Sequence, residues 1–337
     1  MFHFDLLDRN EAKIKEIKCV SAKIIYNENR RIKTTAIFEL TEAGFEIDFL
    51  NNRLKIWLTD NGTKYAVGIF LLTTPRRIKN GANKKLLITG YDKTRILNED
   101  RFSSRFYVPA NSKYTDVIHR LLSTAGFPLN AVPHSNLSTP DALEFAAGTK
   151  VLDAINNLLL HLNYTDIYAD ENGIFSAKPY IDPLERKIDI IYEDGSLFLP
   201  EFEETDNLND IANVFTRVAL NINREEITAV YVNDNPLCPF STLRRGRRIV
   251  NFAQIPSVPN SSILEALAKR ASREETIMAS RLRFKTLPRP GHGSYKTVFL
   301  NVPDIGLDPA KYLQTAWSID ITPNGNIMTH EVRKVIY

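Results

Sequence analysis

The sequence predicts a mainly β protein of the α+β class: two antiparallel β regions joined by a small helix–helix–hairpin unit. Three observations predict it. Most of the chain alternates apolar and polar residues with the period of two that half-buried strands require. In mid-chain, 113–126 (KYTDVIHRLLSTAG) and 149–162 (TKVLDAINNLLLHL) carry the helical apolar period instead. Turn dipeptides punctuate the alternating runs, at Asn61-Gly62, Asn80-Gly81, Asn172-Gly173 and Asn324-Gly325.

Taken in order, residues 13–42 form a hairpin, IKCVSAKIIY reversing through NENRR into IKTTAIFEL. Residues 45–58 suggest a second pair bent at Asn51 and Asn52, and Asp60-Asn61-Gly62 turns into KYAVGIFLLTTPRRI. Asn80-Gly81 then leads into KKLLITGYD, so the first region reads as a small barrel or sandwich. Asn111 or Ser112 is positioned to cap the first helix, whose apolar face is Val117, Ile118, Leu121 and Leu122, with Gly126 closing it. Residues 127–147 read as loop. The second helix aligns Val151, Ile155, Leu158, Leu159 and Leu162 and feeds a hairpin over 163–180. From 186 onward strands return, interrupted by a helix at 261–279 opened by Ser261 or Ser262. The predicted divisions are 1–105, 106–183 and 184–337.

Length and composition restrict the function. A chain of 337 residues exceeds what one core usually serves. At 43% hydrophobic and 25% charged it is an ordinary folded composition. A net charge of +3 argues for neither general nucleic-acid nor membrane binding. The N-terminus lacks a basic stretch followed by an apolar core, so no signal peptide is expected. No apolar run reaches the ~18 residues of a spanning helix. Cys19 and Cys238 lie far apart and read as two inert thiols in a reducing cytoplasm.

Catalytic and metal constellations are not expected. The six histidines are scattered, and His330-Glu331 lacks the second histidine of a zinc-protease helix. Asp170-Glu171-Asn172-Gly173 is read as a hairpin turn rather than a calcium loop. Trp57 and Trp317 fall in strand patterns and are assigned to core. No Gly-x-Ser-x-Gly elbow or phosphate-binding loop is present, so no catalytic residue, cofactor or metal is expected. The densest charge cluster is Arg244, Arg245, Arg247 and Arg248 around Gly246. It reads either as a contact with phosphate or an acidic partner, including a protein interface, where arginine is favoured, or as a solvated turn leading into a strand. It carries no aromatics for base stacking, which argues against nucleic acid. The acidic stretch 201–210, with Glu201, Glu203 and Glu204, reads as its counterpart within or between subunits, or as an exposed loop.

The order of parts resembles the baseplate hub proteins of tailed bacteriophages and tailocins, most of all the compact hubs of Gram-positive prophages. The likeness rests on GTKVLDAINNLLLHLNYTDIYADENGIFSAKPY, on NVFTRVALNI followed by the arginine-rich turn into RRIV, and on SILEALAKRASREE, RLRFKTLPRPGHG, KTVFLNV and NGNIMTHEVRKVIY. The resemblance implies two tube-like β domains per chain and a homotrimer that adapts a six-fold tail tube to a three-fold spike. It implies as partners the tail tube protein, the central spike protein and other baseplate proteins, with no membrane and no sequence-specific nucleic acid. It implies a place in the virion's tail baseplate or tip, after assembly in a bacterial cytoplasm. No enzymatic extension follows the last strand, so no lytic activity carries over. The alternative is a cell-wall hydrolase or carbohydrate-binding module, needing two carboxylates in a cleft or exposed aromatics on one sheet face. The resemblance also implies that the two β regions share a fold.

Overall fold

The computed structural model describes residues 1–41, 46–80, 83–193, 198–207, 211–220, 226–255, 258–303 and 306–336. The first region contains β1 (Phe2–Leu7), β2 (Lys13–Ile17), β3 (Cys19–Asn27), β4 (Thr34–Thr41), β5 (Arg53–Asp60), β6 (Thr63–Asn80) and β7 (Asn83–Tyr91). Period-two patterning drives one face inward: Ala22, Ile24 and Tyr26 from β3, Ala36, Phe38 and Leu40 from β4, and Leu54 and Ile56 from β5. The expected β3–β4 and β5–β6 hairpins form. The expected pair bent at Asn51 and Asn52 does not. There Asp48 closes a turn, accepting from the Leu50 N–H at 3.0 Å and the Asn51 amide at 2.7 Å. β5 then pairs with β1 and β6. Residues 42–45 lie outside the described residues, as does Gly81 of the 80–81 turn.

The middle region holds α1 (Thr94–Glu99), β8 (Phe106–Val108), α2 (Tyr114–Thr124), β9 (Leu143–Phe145), α3 (Val151–Leu160), β10 (Tyr168–Ala169) and β11 (Phe175–Ser176). The apolar faces of α2 and α3 pack together through Ile118, Leu121, Leu122, Ile155, Leu158 and Leu159. Neither Asn111 nor Ser112 caps α2; Lys113 takes that position with no side-chain bond. The Leu137 carbonyl accepts the Tyr114 N–H at 3.2 Å, so a neighbouring segment satisfies the helix end. Part of the expected loop 127–147 is strand, since β9 pairs with β8. The expected hairpin is short, two residue pairs closed by an Asp170 turn with positive φ at Gly173.

The last region runs β12 (Ile190–Glu193), β13 (Phe198–Asp206), β14 (Val214–Leu220), β15 (Glu226–Val232), α4 (Thr242–Arg245), β16 (Val250–Ile255), α5 (Ser261–Met278), β17 (Ser280–Thr286), β18 (Thr297–Val302), β19 (Leu307–Thr322) and β20 (Gly325–Lys334). Asn260, not Ser261 or Ser262, caps α5 through the Ile263 N–H at 3.0 Å. One face of the small sheet β15-β14-β16 packs on α5 through Phe215, Ala219, Leu264 and Ala268.

The protein is mostly antiparallel β, as expected, with β12–β18 and β14–β16 as parallel exceptions. Both β regions join one 13-stranded sheet, because β19 serves both. Its first half pairs with β18 and its second half with β3, while β20 flanks it over Tyr312–Thr322. Trp317, Ile319 and Met328 therefore sit in the first region's core. The two halves have different strand orders, β2-β1-β5-β6-β7-β4-β3 against β13-β17-β20-β19-β18-β12.

Gly90 lies where two core rings meet. A Cβ there would fall 2.8 Å from the Phe38 ring and 3.0 Å from Phe70 Cβ. Gly90→Ala is therefore expected to destabilise the fold by about 1–3 kcal/mol, read as a lowered denaturant midpoint with an unchanged slope.

Candidate functional site

The loop between β17 and β18, residues 287–296, is bonded to β12 and β19 of the last region and touches the other two regions through Tyr295. His292 bonds the Tyr192 hydroxyl of β12 at 2.9 Å through Nε2, and the Gln314 amide of β19 through Nδ1. His330 of β20 bonds Thr286 at 2.9 Å and lies 4.7 Å from the His292 ring, stacked on Phe284 at 4.6 Å. Arg289 donates to the Ile191 carbonyl at 2.7 Å, and Lys296 pairs with Asp189 at 3.4 Å. Burial holds His292 down at about 4, with Arg289 and Lys296 acting in the same direction against the Gln314 bond. His330 lies well below its ordinary value, first through burial and then through its neighbour His292. Both rings are therefore neutral at pH 7.

Tyr295, at φ 59°, extends the same fastening. Its ring faces the Lys33 ammonium at 5.3 Å and the Arg186 guanidinium at 6.0 Å. Arg186 also faces Tyr180 at 5.7 Å, and Arg270 of α5 covers that ring at 4.7 Å. Cations and rings thus alternate along one wall of a cleft of about 640 Å³ where β3, the helical unit and α5 meet. Two of the carboxylates lining it are held by cations, Glu28 by the buried Lys33 at 2.7 Å and Glu274 by Arg270 at 2.8 Å, while Glu275 accepts from the Ala212 N–H and the Asn251 amide. This chemistry binds segments of the chain to one another. No group of three metal-ligating side chains occurs among the described residues. Cys19 and Cys238 are free thiols, and burial pushes Cys19 up to about 12.

The arginine cluster folds as α4 and the turn after it. Ser241 caps the turn, accepting the Arg244 N–H at 3.3 Å, and Gly246 ends it at φ 64°. Arg245 turns inward to the Ile211 carbonyl at 3.2 Å and over the Phe240 ring. Arg244, Arg247 and Arg248 are exposed and have no ion pair among the described residues. The turn delivers the chain into β16, whose Val250 and Phe252 are 56% and 64% exposed beside Val230 and Val232 of β15.

The acidic stretch is the strand β13 through Asp206, not an exposed loop; residues 208–210 lie outside the described residues. Its intrachain partners are on β17. Glu201 pairs with Lys285, and Glu203 with Arg281 at 3.0 Å and Arg283 at 3.9 Å, while Glu204 is exposed. Among the described residues the acids do not meet the arginine turn. Two features escaped the sequence reading. The histidine pair joins residues 38 positions apart through a sheet register that no local pattern encodes. A second cation cluster, Arg76, Arg77, Lys79, Lys84 and Lys85, lies in PRRIKNGANKK on either side of the Asn80-Gly81 turn signal.

No protein-family model and no curated protein matches the sequence. The fold is that of bacteriophage tail proteins. A tail protein from Neisseria meningitidis MC58 superposes with a TM-score of 0.72 at 10% identity, over 98% of this chain and 96% of that one. The 43 kDa tail protein of prophage MuSo2 from Shewanella oneidensis gives 0.68 at 12% identity, over 98% of both chains. An E. coli component of the type VI secretion system, described as similar to the T4 bacteriophage tail proteins gp27 and gp5, gives 0.56 at 8% identity, over 95% of this chain and 74% of that one.

The buried histidines set a pH dependence. Their folded pKa values lie below the unfolded value near 6.5, so the stability they contribute is present above pH ~6.5 and is lost as pH falls toward 4. Wild-type protein is expected to lose about 3 kcal/mol through His292 across that window. His292→Gln removes one of the two titrating groups and should make the fall in melting temperature between pH 6.5 and 4 shallower, leaving the share set by the burial of His330, read in melts at stepped pH.

Proposed function

We propose that this chain is a non-enzymatic structural subunit of a phage or phage-like tail, placed in the baseplate hub. It assembles as a homotrimer between the six-fold tail tube and the three-fold central spike, touching other baseplate proteins around it. The observation that carries the reading is that the likeness to tail proteins runs end to end in both directions, leaving no large segment of this chain for a separate activity. The joint supports it: cation–π and ring contacts link residues of all three regions, which suits a part under load. The divisions at 105/106 and 183/184 are proposed as assembly modules, with the β19–β20 hairpin serving the first and last. The arginine turn and the acids of β13 are proposed as contacts between protein subunits.

Light scattering on purified protein tests the oligomer. The expected mass is three times the 38.4 kDa chain, and a stable monomer at all concentrations would reject the trimer. Peptidoglycan turnover should stay at background; hydrolysis abolished by changing one carboxylate would reject the structural role. Replacing Arg244, Arg247 and Arg248 with Ser, while sparing Arg245, should change the melt by less than about 0.5 kcal/mol, as expected for exposed sites. The same triple variant should impair incorporation into tail particles. Normal incorporation would remove the arginine turn from the interface.

A further inference from the structure

We propose that neighbouring copies of this chain join by strand pairing between the uncovered edge of β6, residues 76–80, of one copy and the β13 edge of the next. The proposal rests on the oligomeric reading above and names the contact that reading leaves open. Two strand edges carry it. β5 covers β6 only as far as Leu71, so the outer edge of β6 is uncovered over residues 76–80, among the described residues. β13 has β17 on one side and no described strand on the other. Unpaired N–H and C=O groups along such edges are templates for another strand.

The charges on these edges are opposite. Arg76 and Lys79 on the hairpin are exposed and have no ion pair among the described residues, and Lys79 sits directly across from Lys84. Like charges directly opposite one another destabilise a ladder unless an anion lies nearby. On β13, Glu204 and Asp206 are exposed and likewise lack an ion pair among the described residues. Glu203 holds Arg281 and Arg283 in exposed pairs, which are weak and exchangeable. Charged edges normally protect a sheet from unwanted pairing. Here each edge rejects a copy of itself and accepts the other, which is specificity by repulsion as well as attraction. Pro200 has no N–H to donate, so the pairing is confined to 201–206. The two edges lie at different places on one chain, so the contact is head-to-tail, and such contacts close into rings when the rotation between copies closes.

The test is charge reversal on the full chain. R76E/K79E and E204K/D206K spare Arg77, which rests over Phe49, and Glu201, which pairs with Lys285. Each double variant should weaken self-association by about tenfold or more, read by concentration-dependent light scattering, with an unchanged melt. Combining all four substitutions restores opposite charges and should recover association to within about threefold of wild type. A photo-crosslinker placed at residue 79 gives a second readout and should attach to the neighbouring copy within 198–206 or 280–286. Wild-type assembly that survives both double variants, or attachment elsewhere, overturns the contact while leaving the oligomer intact. A wild-type chain that stays single overturns the oligomeric reading and the contact with it.

Discussion

The ladder between β3 and β19 is the interaction on which the rest depends. It pairs residues 22–27 with 316–321, so that Lys23 meets Asp320 across 297 positions of chain. The ladder buries the Tyr26–Trp317 stack, at 5.6 Å, and places Ile319 beside Ile24 in the first core. Closing so long a loop costs entropy that grows only slowly with length, while the ladder gains main-chain bonds and apolar burial along six residue pairs. Once it forms, strands of the two β regions are one sheet.

That closure creates the joint and dictates its chemistry. Strands β12, β18, β19 and β20 bring Tyr192, Gln314 and His330 together, and the 287–296 loop adds His292. An apolar plug would have packed as well. A fully bonded polar cluster instead fixes one register and one loop position, because any slip leaves a buried donor or acceptor unpaired. Its cost is the depressed basicity of both histidines, which ties the joint to pH. The cation–ring series from Lys33 to Arg270 does the same outside the sheet, joining β3–β4, the loop, the helical unit and α5 without a continuous hydrophobic core.

What faces outward follows from the same topology. A single sheet that does not close on itself leaves edges, and among the described residues this one ends in β13, β12 and β2. The small sheet on α5 leaves a second apolar face, with Val230, Val232, Val250 and Phe252 exposed beside the arginine turn. An isolated chain with uncovered edges and an exposed apolar face is disposed to associate, and opposite edge charges select how.

The sequence by itself determined the local elements. Period-two alternation produced β3, β4 and β5, where packing only had to accept a face already written. The helical period placed α2 and α3 inside the expected 113–126 and 149–162, and Gly173 marked its turn because a positive φ is cheapest there. Tertiary structure decided the partners. Ser112 lost its capping role because a distant carbonyl at Leu137 satisfied the helix end. The acids at 201–206 became a strand because β17 supplied both the ladder and the cations Arg281, Arg283 and Lys285. The His292–His330 pair and the shared hairpin β19–β20 depend on registers between strands far apart in the chain. Local propensity is set by a residue and its few neighbours; register is set by which faces and charges meet after the chain has closed, and only the folded whole contains that information.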